Sequence, residues 1–271
     1  SDAGIDIALF NDRLSGSFDY YIRNNNNMLI ALNEPAVLGV TPSTTNAASL
    51  RTWGWGFNIG WRDEIGKVRY YVNFNLDDNR NKITRYLGNV VVGSGTTKAI
   101  SGYPINSIFG YQAQGYFSSQ DEVNQHAFQD NRTGAGDIIY QDINGDGKIN
   151  QGNNTLDNHG DLKYLGNTSP RYNFGENMGI SYAGFDFSVF FQGVGKRSYM
   201  IYGRTIVPFI DSWRMPWAIN RDYWTPTNTD AKFPRLYQGG TQNTVVSSHW
   251  VQNGAYIDLK NIQLGYTLPQ N

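Results

Sequence analysis

The sequence has 271 residues and no cysteine, and its 22 basic and 23 acidic residues leave a formal net charge of −1. This length allows one large domain or two ordinary ones, and the absence of cysteine excludes a disulfide-stapled scaffold. A nearly neutral chain also lacks the concentrated basic surface with which proteins bind phosphate backbones, so we expect no nucleic acid as a partner.

The chain is rich in aromatic residues and glycine although it is polar overall. It contains 18 Tyr, 14 Phe, 7 Trp and 30 Gly, with a mean hydropathy of −0.49. This composition is typical of β-proteins. No run approaches the roughly 18 to 20 apolar residues of a membrane helix, but membrane β-barrels give a much weaker pattern and remain possible. The chain starts and stops within patterned sequence, so we expect a fragment of a longer protein.

Alternation of apolar and polar residues predicts an all-β fold. In residues 53–61, "WGWGFNIGW", Trp53, Trp55, Phe57 and Trp61 share one face and glycine or asparagine occupies the other. This period of two is the mark of a strand with one apolar face. The strands predicted in this way cover residues 5–10, 16–32, 50–62, 67–86, 171–182, 185–198 and 255–267.

Short and long connections alternate between these strands. The links "NDRLSG", "DEIG" and "AG" are tight, whereas residues 33–49, 87–170 and 199–254 form long links. If neighbouring strands are antiparallel, every long link lies at one end of the sheet and every tight turn at the other. Outer-membrane barrels distribute their extracellular loops and periplasmic turns in this manner, whereas a sandwich with Greek-key links has no such requirement. The pattern therefore favours a transmembrane β-barrel with 87–170 and 199–254 as long extracellular loops.

Several motifs in a fixed order carry a family resemblance. They are the stretches "DYYIRNNNNML" and "RTWGWGFNIGWRDEIGKVRYYVNFNL", then residues 160–197, "WTPTNTDAKFPRL" and "AYIDLKNIQLGYTLP". Together they resemble the SusC/RagA family of TonB-dependent outer-membrane transporters over nearly the whole chain. Two places depart from the family pattern: Asp258 stands where the family usually has Arg, and the run Asn24 to Asn27 replaces a stretch richer in Thr and Lys.

The resemblance implies the fold, the location and the function. It implies the C-terminal part of a plugged barrel of about 22 strands, without plug, TonB box or final strands. The expected location is the outer membrane of a Gram-negative bacterium. The expected function is import of bulky nutrients, either oligosaccharides or peptides. The implied partners are a SusD-like surface lipoprotein acting as a lid, the TonB complex and the outer-membrane lipid. No essential cofactor is implied.

One loop, "YQDINGDGKINQGN", has the spacing of a calcium-binding loop. Alternate positions carry oxygen ligands, and Gly147 stands at the sharp bend. The candidate ligands are Asp142, Asn144, Asp146, the Lys148 carbonyl, Asn150 and Asn153. Asn153 replaces the bidentate Glu of an EF-hand and the flanking residues are not helical, so a calcium sensor is excluded. Two interpretations stay open: a structural Ca²⁺ site, completed by Asp157 or Asp161, or an Asx-rich turn that needs no ion.

A group of aromatic residues in the link 199–254 forms a second candidate site. Its members are Trp213, Trp217, Tyr223 and Trp224. They either contact a ligand or partner, or pack the loop on itself, because Trp and Tyr are favoured both in cores and at interfaces.

No catalytic pattern is found, and we expect no enzyme. The three histidines, His126, His159 and His249, are far apart, and no nucleophile motif accompanies them. Two alternatives to the transporter remain from the sequence: a secreted all-β carbohydrate-binding or adhesin module, and a glycoside hydrolase domain, which would need only two carboxylates.

Overall fold

The structure is a computed structural model that describes residues 1–31, 44–87, 99–204, 206–211, 213, 215–238 and 242–268. The chain divides into two compact units, which are described separately. The sheet unit comprises Ser1–Tyr86, Ser169–Arg197 and Asn253–Asn271. The loop unit comprises Leu87–Thr168 and Ser198–Gln252.

The described residues contain thirteen strands and one short α-helix. In chain order these are β1 (Asp2–Leu9), β2 (Leu14–Ala31), β3 (Thr44–Ile65), β4 (Val68–Tyr86), β5 (Ser107–Tyr111), β6 (Ala113–Tyr116), α1 (Gln120–Gln125), β7 (Ile138–Tyr140), β8 (Leu162–Asn167), β9 (Arg171–Tyr182), β10 (Phe185–Lys196), β11 (Ser198–Met200), β12 (Val251–Asn253) and β13 (Tyr256–Tyr266).

The sheet unit is one antiparallel sheet of seven strands in the order β1-β2-β3-β4-β9-β10-β13. All seven correspond to strands predicted from alternation, and β9 has the predicted bounds at both ends. The largest difference is at β3, which begins at Thr44 instead of residue 50. Its first residues, "TTNAAS", pair with β2 without alternating in polarity, so no period-two pattern marks them. Residue 32, predicted as the end of β2, lies outside the described residues.

Tight turns and long links leave opposite ends of this sheet. The turns between β1 and β2, β3 and β4, and β9 and β10 lie at one end, here called the turn end. The other links leave from the opposite end, the loop end. At the turn end, Gly66 and the pair Ala183 and Gly184 all have positive φ. Two-residue hairpins need such backbone conformations to match the twist of the strands they join.

The strand register gives the sheet one apolar and one polar face. A row across β2, β3, β4 and β9 reads Phe18, Phe57, Leu76 and Phe174. The apolar face is exposed: Ile5 and Leu264 keep 62% and 73% of their accessible surface. A sandwich would cover such a face with a second sheet, whereas a barrel wall turns it to lipid.

The polar face carries the alternate residues, mainly Gly, Asn, Asp, Ser and Tyr. Its row through Tyr71 reads Arg62, Tyr71 and Gly179 across β3, β4 and β9. Glu176 lies opposite Phe74 and Phe191 and interrupts the apolar face, as its position in the alternation predicts.

The loop unit has its own hydrophobic core. Residues of both of its chain stretches form this core: Ile100, Phe109, Tyr111, Ile138, Tyr140, Leu162, Val207, Phe233 and Trp250. Around it lie three two-stranded sheets, formed by β5 with β8, β6 with β7, and β11 with β12. The amide of Tyr111 donates to the carbonyl of Val246 over 3.0 Å, joining the two stretches.

Within the described part of the chain, no helix has the length and apolar character needed to cross a membrane.

Candidate functional site

The predicted calcium loop is held by hydrogen bonds from its own backbone. The two carboxylate oxygens of Asp142 accept from the amides of Gly145 and Gly147, over 2.7 and 2.9 Å. Both glycines have positive φ, which brings their amides back towards the carboxylate. This is the arrangement that an Asx-rich turn predicts.

Asp146 occupies the centre of the same loop. Its Oδ1 accepts from the Lys148 amide over 2.8 Å, and its Oδ2 accepts from the side-chain amides of Asn144 and Asn150, over 3.1 and 3.4 Å. The Lys148 amide, followed by the Asn144 side chain, holds the pKa of Asp146 below its ordinary value. The Lys148 carbonyl accepts from Asn150 Nδ2 over 3.2 Å, and Asn153 is exposed.

The carboxylate of Asp161 holds the backbone of the loop at two points. Asp161 is fully buried, and its carboxylate accepts from the amides of Ile143 and Asn150, over 2.7 and 2.9 Å. Asp161, one of the two residues suggested to complete the ligand set, thus contacts both ends of the loop backbone. Nowhere in the described ranges do three or more His, Cys, Asp or Glu side chains form a group that could hold a metal ion. Calcium binding by Asp142 and Asp146 stays a prediction.

The four aromatic residues of the second candidate site are separated by burial. Trp224 keeps only 7% of its accessible surface, and its ring lies against Gly136, where a Cβ atom would collide with it. Tyr223 packs against the hydrophobic core. These two residues therefore pack the loop unit.

Trp213 and Trp217 are exposed, at 72% and 58% of their accessible surface. Met215, at 83%, and Ile219 extend this exposed apolar stretch. The Asn220 side chain holds the backbone beside this stretch. Its Oδ1 accepts from the Trp217 amide over 2.9 Å, and its Nδ2 donates to the Ile206 carbonyl over 2.8 Å. Exposed Trp and Met side chains are common at binding surfaces.

A buried ion pair in the loop unit was not predicted from the sequence. Arg235 donates Nε and Nη2 to the two carboxylate oxygens of Asp137, over 2.6 and 2.7 Å. The Asn243 side chain and the Gly134 amide donate to the same carboxylate, both over 2.8 Å. Asp137 is buried, and hydrogen bonding to it raises the pKa of Arg235. No local spacing relates Asp137 to Arg235, because they are far apart in the chain and meet only in the folded unit.

His249 lies among aromatic rings in the loop unit. Its ring meets those of Tyr116 and Trp250 edge to face, at centroid distances of 5.7 and 4.5 Å. Burial among these rings lowers the pKa of His249 to about 4. A neutral imidazole at physiological pH therefore belongs to the packing of the loop unit.

Comparison with known sequences finds relatives along the whole chain, although no family model matches it. TonB-dependent receptor P26 of Formosa agariphila is 29% identical over 99% of this chain and 27% of that protein. TonB-dependent receptor SusC of Bacteroides thetaiotaomicron is 25% identical over 98% of this chain and 25% of that protein. The chain thus spans about a quarter of the length of the curated relatives it matches.

Comparison with solved structures finds the same fold. The RagAB peptide importer matches 99% of this chain and 28% of the importer chain at 20% identity, with TM-scores of 0.71 in its closed-closed state and 0.73 in its open-open state. The sheet is therefore part of a barrel wall, and the interpretation as a secreted sandwich is not supported. The names of these proteins are those of receptors and transporters, in agreement with the expectation that the chain is not an enzyme.

The similarity to TonB-dependent receptors agrees with the outer-membrane location expected from the sequence. The resemblance predicted from the sequence is thus confirmed: the chain is similar along its whole length to TonB-dependent receptors, SusC among them, and its fold matches part of the RagAB importer.

Proposed function

We propose that this chain is part of a TonB-dependent transporter that imports bulky nutrients, oligosaccharides or peptides, across the outer membrane. The observation that carries the proposal is the seven-stranded antiparallel sheet with an exposed apolar face and a polar face of Asn and Gly, matched along its whole length to TonB-dependent receptors. Such a wall separates lipid from a polar interior through which a large solute can pass. The TonB complex would supply the energy through segments other than these 271 residues.

A SusD-like surface lipoprotein is the proposed partner, acting as a lid over the loop end of the barrel. The RagAB importer, which this chain resembles in fold, is described in closed-closed and open-open states, and this supports a lidded mechanism here. The loop unit has its own hydrophobic core, so its surface is preformed. A preformed surface suits binding to a partner better than flexible loops without a core, because it loses less conformational entropy on binding.

Contact with the substrate or the lid is proposed for Trp213 and Trp217, because their rings are exposed. Tyr223 and Trp224 are left out of this surface, since both are needed for packing. Trp side chains offer a large rigid contact area that suits sugar rings and apolar peptide side chains alike.

The test is uptake by the bacterium that carries the intact gene. Cells with and without the gene are given fluorescent oligosaccharides and peptides of graded length, and loss of uptake of one class on deletion identifies that class as substrate. Uptake of both classes unchanged by deletion would contradict the proposal.

The aromatic contact has its own variant. Trp213→Ala with Trp217→Ala in the full-length receptor should lower uptake about tenfold, the loss of roughly 1.4 kcal/mol of binding. Phe128→Ala is the matched control, because Phe128 is an exposed ring of the same unit outside this stretch. Equal uptake by both variants would exclude the two Trp residues from the contact surface.

A further inference from the structure

A cluster of cationic side chains lies on the lipid side of the sheet at its loop end. Residues directly opposite each other on antiparallel strands share a face. Trp53 on β3 lies opposite Arg80 on β4, and Arg51 lies opposite Lys82. Alternation from Trp55 and Leu76 places these side chains on the apolar face, and Arg51, Arg80 and Lys82 are all exposed.

Asp78, opposite Trp55, is the carboxylate of this face that lies beside the cluster, but its charge is already matched by Arg171. Arg171 donates to both of its oxygens, over 2.7 and 2.6 Å, and Asp78 keeps only 2% of its accessible surface. Tyr172 beside it has a φ of 55°, a backbone conformation that interrupts the alternation at the start of β9. Arg80 is the outer neighbour of this pair, with Nε 3.3 Å from Asp78. This part of the face therefore carries four positive charges and the one negative charge of Asp78; the cations are Arg51, Arg80, Lys82 and Arg171.

The cluster lies at the edge of the apolar band. Trp53 and Trp61 are eight residues apart on one face of β3, which is about 27 Å along a strand and about 20 Å across the bilayer at a tilt of about 40°. That span approaches the apolar band of about 25 Å in outer-membrane barrels. Arg80 lies opposite Trp53 and so at the same depth in the membrane. Arg51 and Lys82 lie two residues farther towards the loop end, at the depth of lipid headgroups. The guanidinium of Arg51 lies 6.0 Å from the centre of the Trp53 ring.

The turn end of the same face is different. There Arg13 pairs with Asp63, with Nη1 3.3 Å from a carboxylate oxygen, so the cation has its own counter-charge. Asp63 lies opposite Tyr70 on the apolar side of the sheet. The excess of positive charge on this face is thus confined to the loop end among these described strands.

We propose that Arg51, Arg80 and Lys82 form a binding site for the phosphate-bearing headgroup of an outer-leaflet lipid. Guanidinium groups bind phosphate oxygens in pairs, and a lysine adds a third point charge. Trp53 and Trp55 would hold the neighbouring acyl chains at the boundary of the apolar band. Asn24, which lies opposite Arg51 on β2, adds an amide donor suited to a sugar headgroup. The site depends on the barrel fold and the outer-membrane location, and not on which nutrient is transported.

The experiment uses the full-length receptor in nanodiscs of phosphatidylcholine that contain either phosphorylated lipid A or the same lipid after removal of its phosphates. Each cation near an anionic lipid surface contributes about fivefold to the affinity. The triple variant Arg51→Gln, Arg80→Gln and Lys82→Gln should therefore retain phosphorylated lipid A about 100-fold less strongly than the wild type, as measured by native mass spectrometry of lipid carried through a detergent wash.

The controls distinguish lipid phosphate from free inorganic phosphate, and loss of binding from misfolding of the variant. Arg13→Gln, which removes the paired cation of the turn end, should retain lipid as the wild type does. The single variant Lys82→Gln should lose about fivefold and guards against misfolding of the triple variant. Equal retention of phosphorylated and dephosphorylated lipid by the wild type, equal retention by wild type and triple variant, or displacement of the lipid by millimolar inorganic phosphate would each overturn the proposal.

Discussion

The ring of Tyr71 on β4 covers Gly179 on β9, the residue directly opposite it on the polar face. A Cβ atom at Gly179 would lie 2.5 Å from Cε1 of Tyr71 and 2.8 Å from its hydroxyl oxygen. Tyr21 on β2 stands in the same relation to Gly54 on β3, where a Cβ atom would lie 2.8 Å from the hydroxyl oxygen. The glycines of the polar face thus let neighbouring rings lie against the sheet, where they support pairing in this register.

The Gly179→Ala variant tests this packing. The new methyl group must displace the Tyr71 ring, and such overpacking costs about 1 to 3 kcal/mol. We expect the detergent-solubilised full-length receptor to lose its heat-resistant, compact mobility in electrophoresis at a lower temperature than the wild type.

Gly56→Ala is the matched control, because Gly56 lies on the same face with nothing within 4 Å of the position of a Cβ atom. It should be neutral or slightly stabilising, since Ala restricts the unfolded chain more than Gly does. In the double variant with Tyr71→Ala and Gly179→Ala, the new methyl group no longer meets a ring. Gly179→Ala should therefore add little to the destabilisation that Tyr71→Ala causes alone. Equal effects of the two glycine substitutions would show that the ring is not what Gly179 accommodates.

Alternation predicted the sheet because its cause is local. Each strand has one face towards an apolar medium, so the pattern can be read in residues 171–182 alone, and β9 has those bounds. The irregular features were harder to predict. At β13, Lys260 is an extra residue between Leu259 and Asn261 opposite Phe191 and Phe190. The apolar residues change phase there, from Ile257 and Leu259 to Ile262 and Leu264, but a single spacing of three does not by itself identify a bulge.

The sites were predicted less completely, since they depend on distant residues. The spacing within 142–153 indicated which oxygens would face inwards, but the buried Asp161 that binds both ends of that loop could only be suggested as one of two choices. The four aromatic residues near 213–224 looked alike in the sequence. Only the fold distinguishes the exposed Trp213 from the buried Trp224, because the ring of Trp224 is covered by residues about 90 positions earlier, at Gly136.

Removal of the buried carboxylate Asp137 should loosen the loop unit. In Asp137→Ala the charge of Arg235 loses its partner and the Gly134 amide loses its acceptor, which should cost about 3 kcal/mol. Hydrogen exchange of the full-length receptor should become about 150-fold faster in residues 133–140 and 242–246. Asp130→Ala is the control: Asp130 pairs with Arg132 at the surface, and such pairs contribute less than about 1 kcal/mol. If Asp130→Ala accelerates exchange as much as Asp137→Ala, the buried pair has no special role.

His249 should make the loop unit less stable in acid. Its pKa is about 4 in the folded protein, below the ordinary value of 6.5 in the unfolded chain. The unfolded chain therefore takes up a proton first as the pH falls, so the stabilisation is complete above pH 6.5 and is lost between pH 6.5 and about 4. The difference corresponds to about 3 kcal/mol. Urea unfolding of the receptor, followed by Trp fluorescence at steps from pH 7 to pH 4, should show this loss in the wild type and a smaller one in His249→Gln. Parallel curves for the two proteins would exclude His249 as the titrating group.

Calcium binding at Asp142 to Asn153 is the last prediction, and the ligand count sets its strength. Two carboxylates, Asp142 and Asp146, and a neutral Asn153 at the twelfth position predict a weak site, with a dissociation constant of about 10⁻⁴ to 10⁻³ M. Hydrogen bonds from Lys148 and Asn144 hold the pKa of Asp146 below the ordinary value and so favour the anionic form that a calcium ligand needs.

Calorimetry of the intact detergent-solubilised receptor should show a calcium heat that disappears in Asp146→Ala and persists in Asp121→Ala, a substitution of an exposed carboxylate on α1. Calcium should also slow hydrogen exchange in residues 142–161 and leave the strands of the sheet unchanged, since those draw their stability from ladder pairing and lipid. Such a loop would brace the unit and not switch it, because no pair of helices flanks it that calcium could open. Identical calcium heats in the wild type and Asp146→Ala would show that no ion binds there. The hydrogen bonds from Gly145 and Gly147 to Asp142 would then account for the loop without a metal.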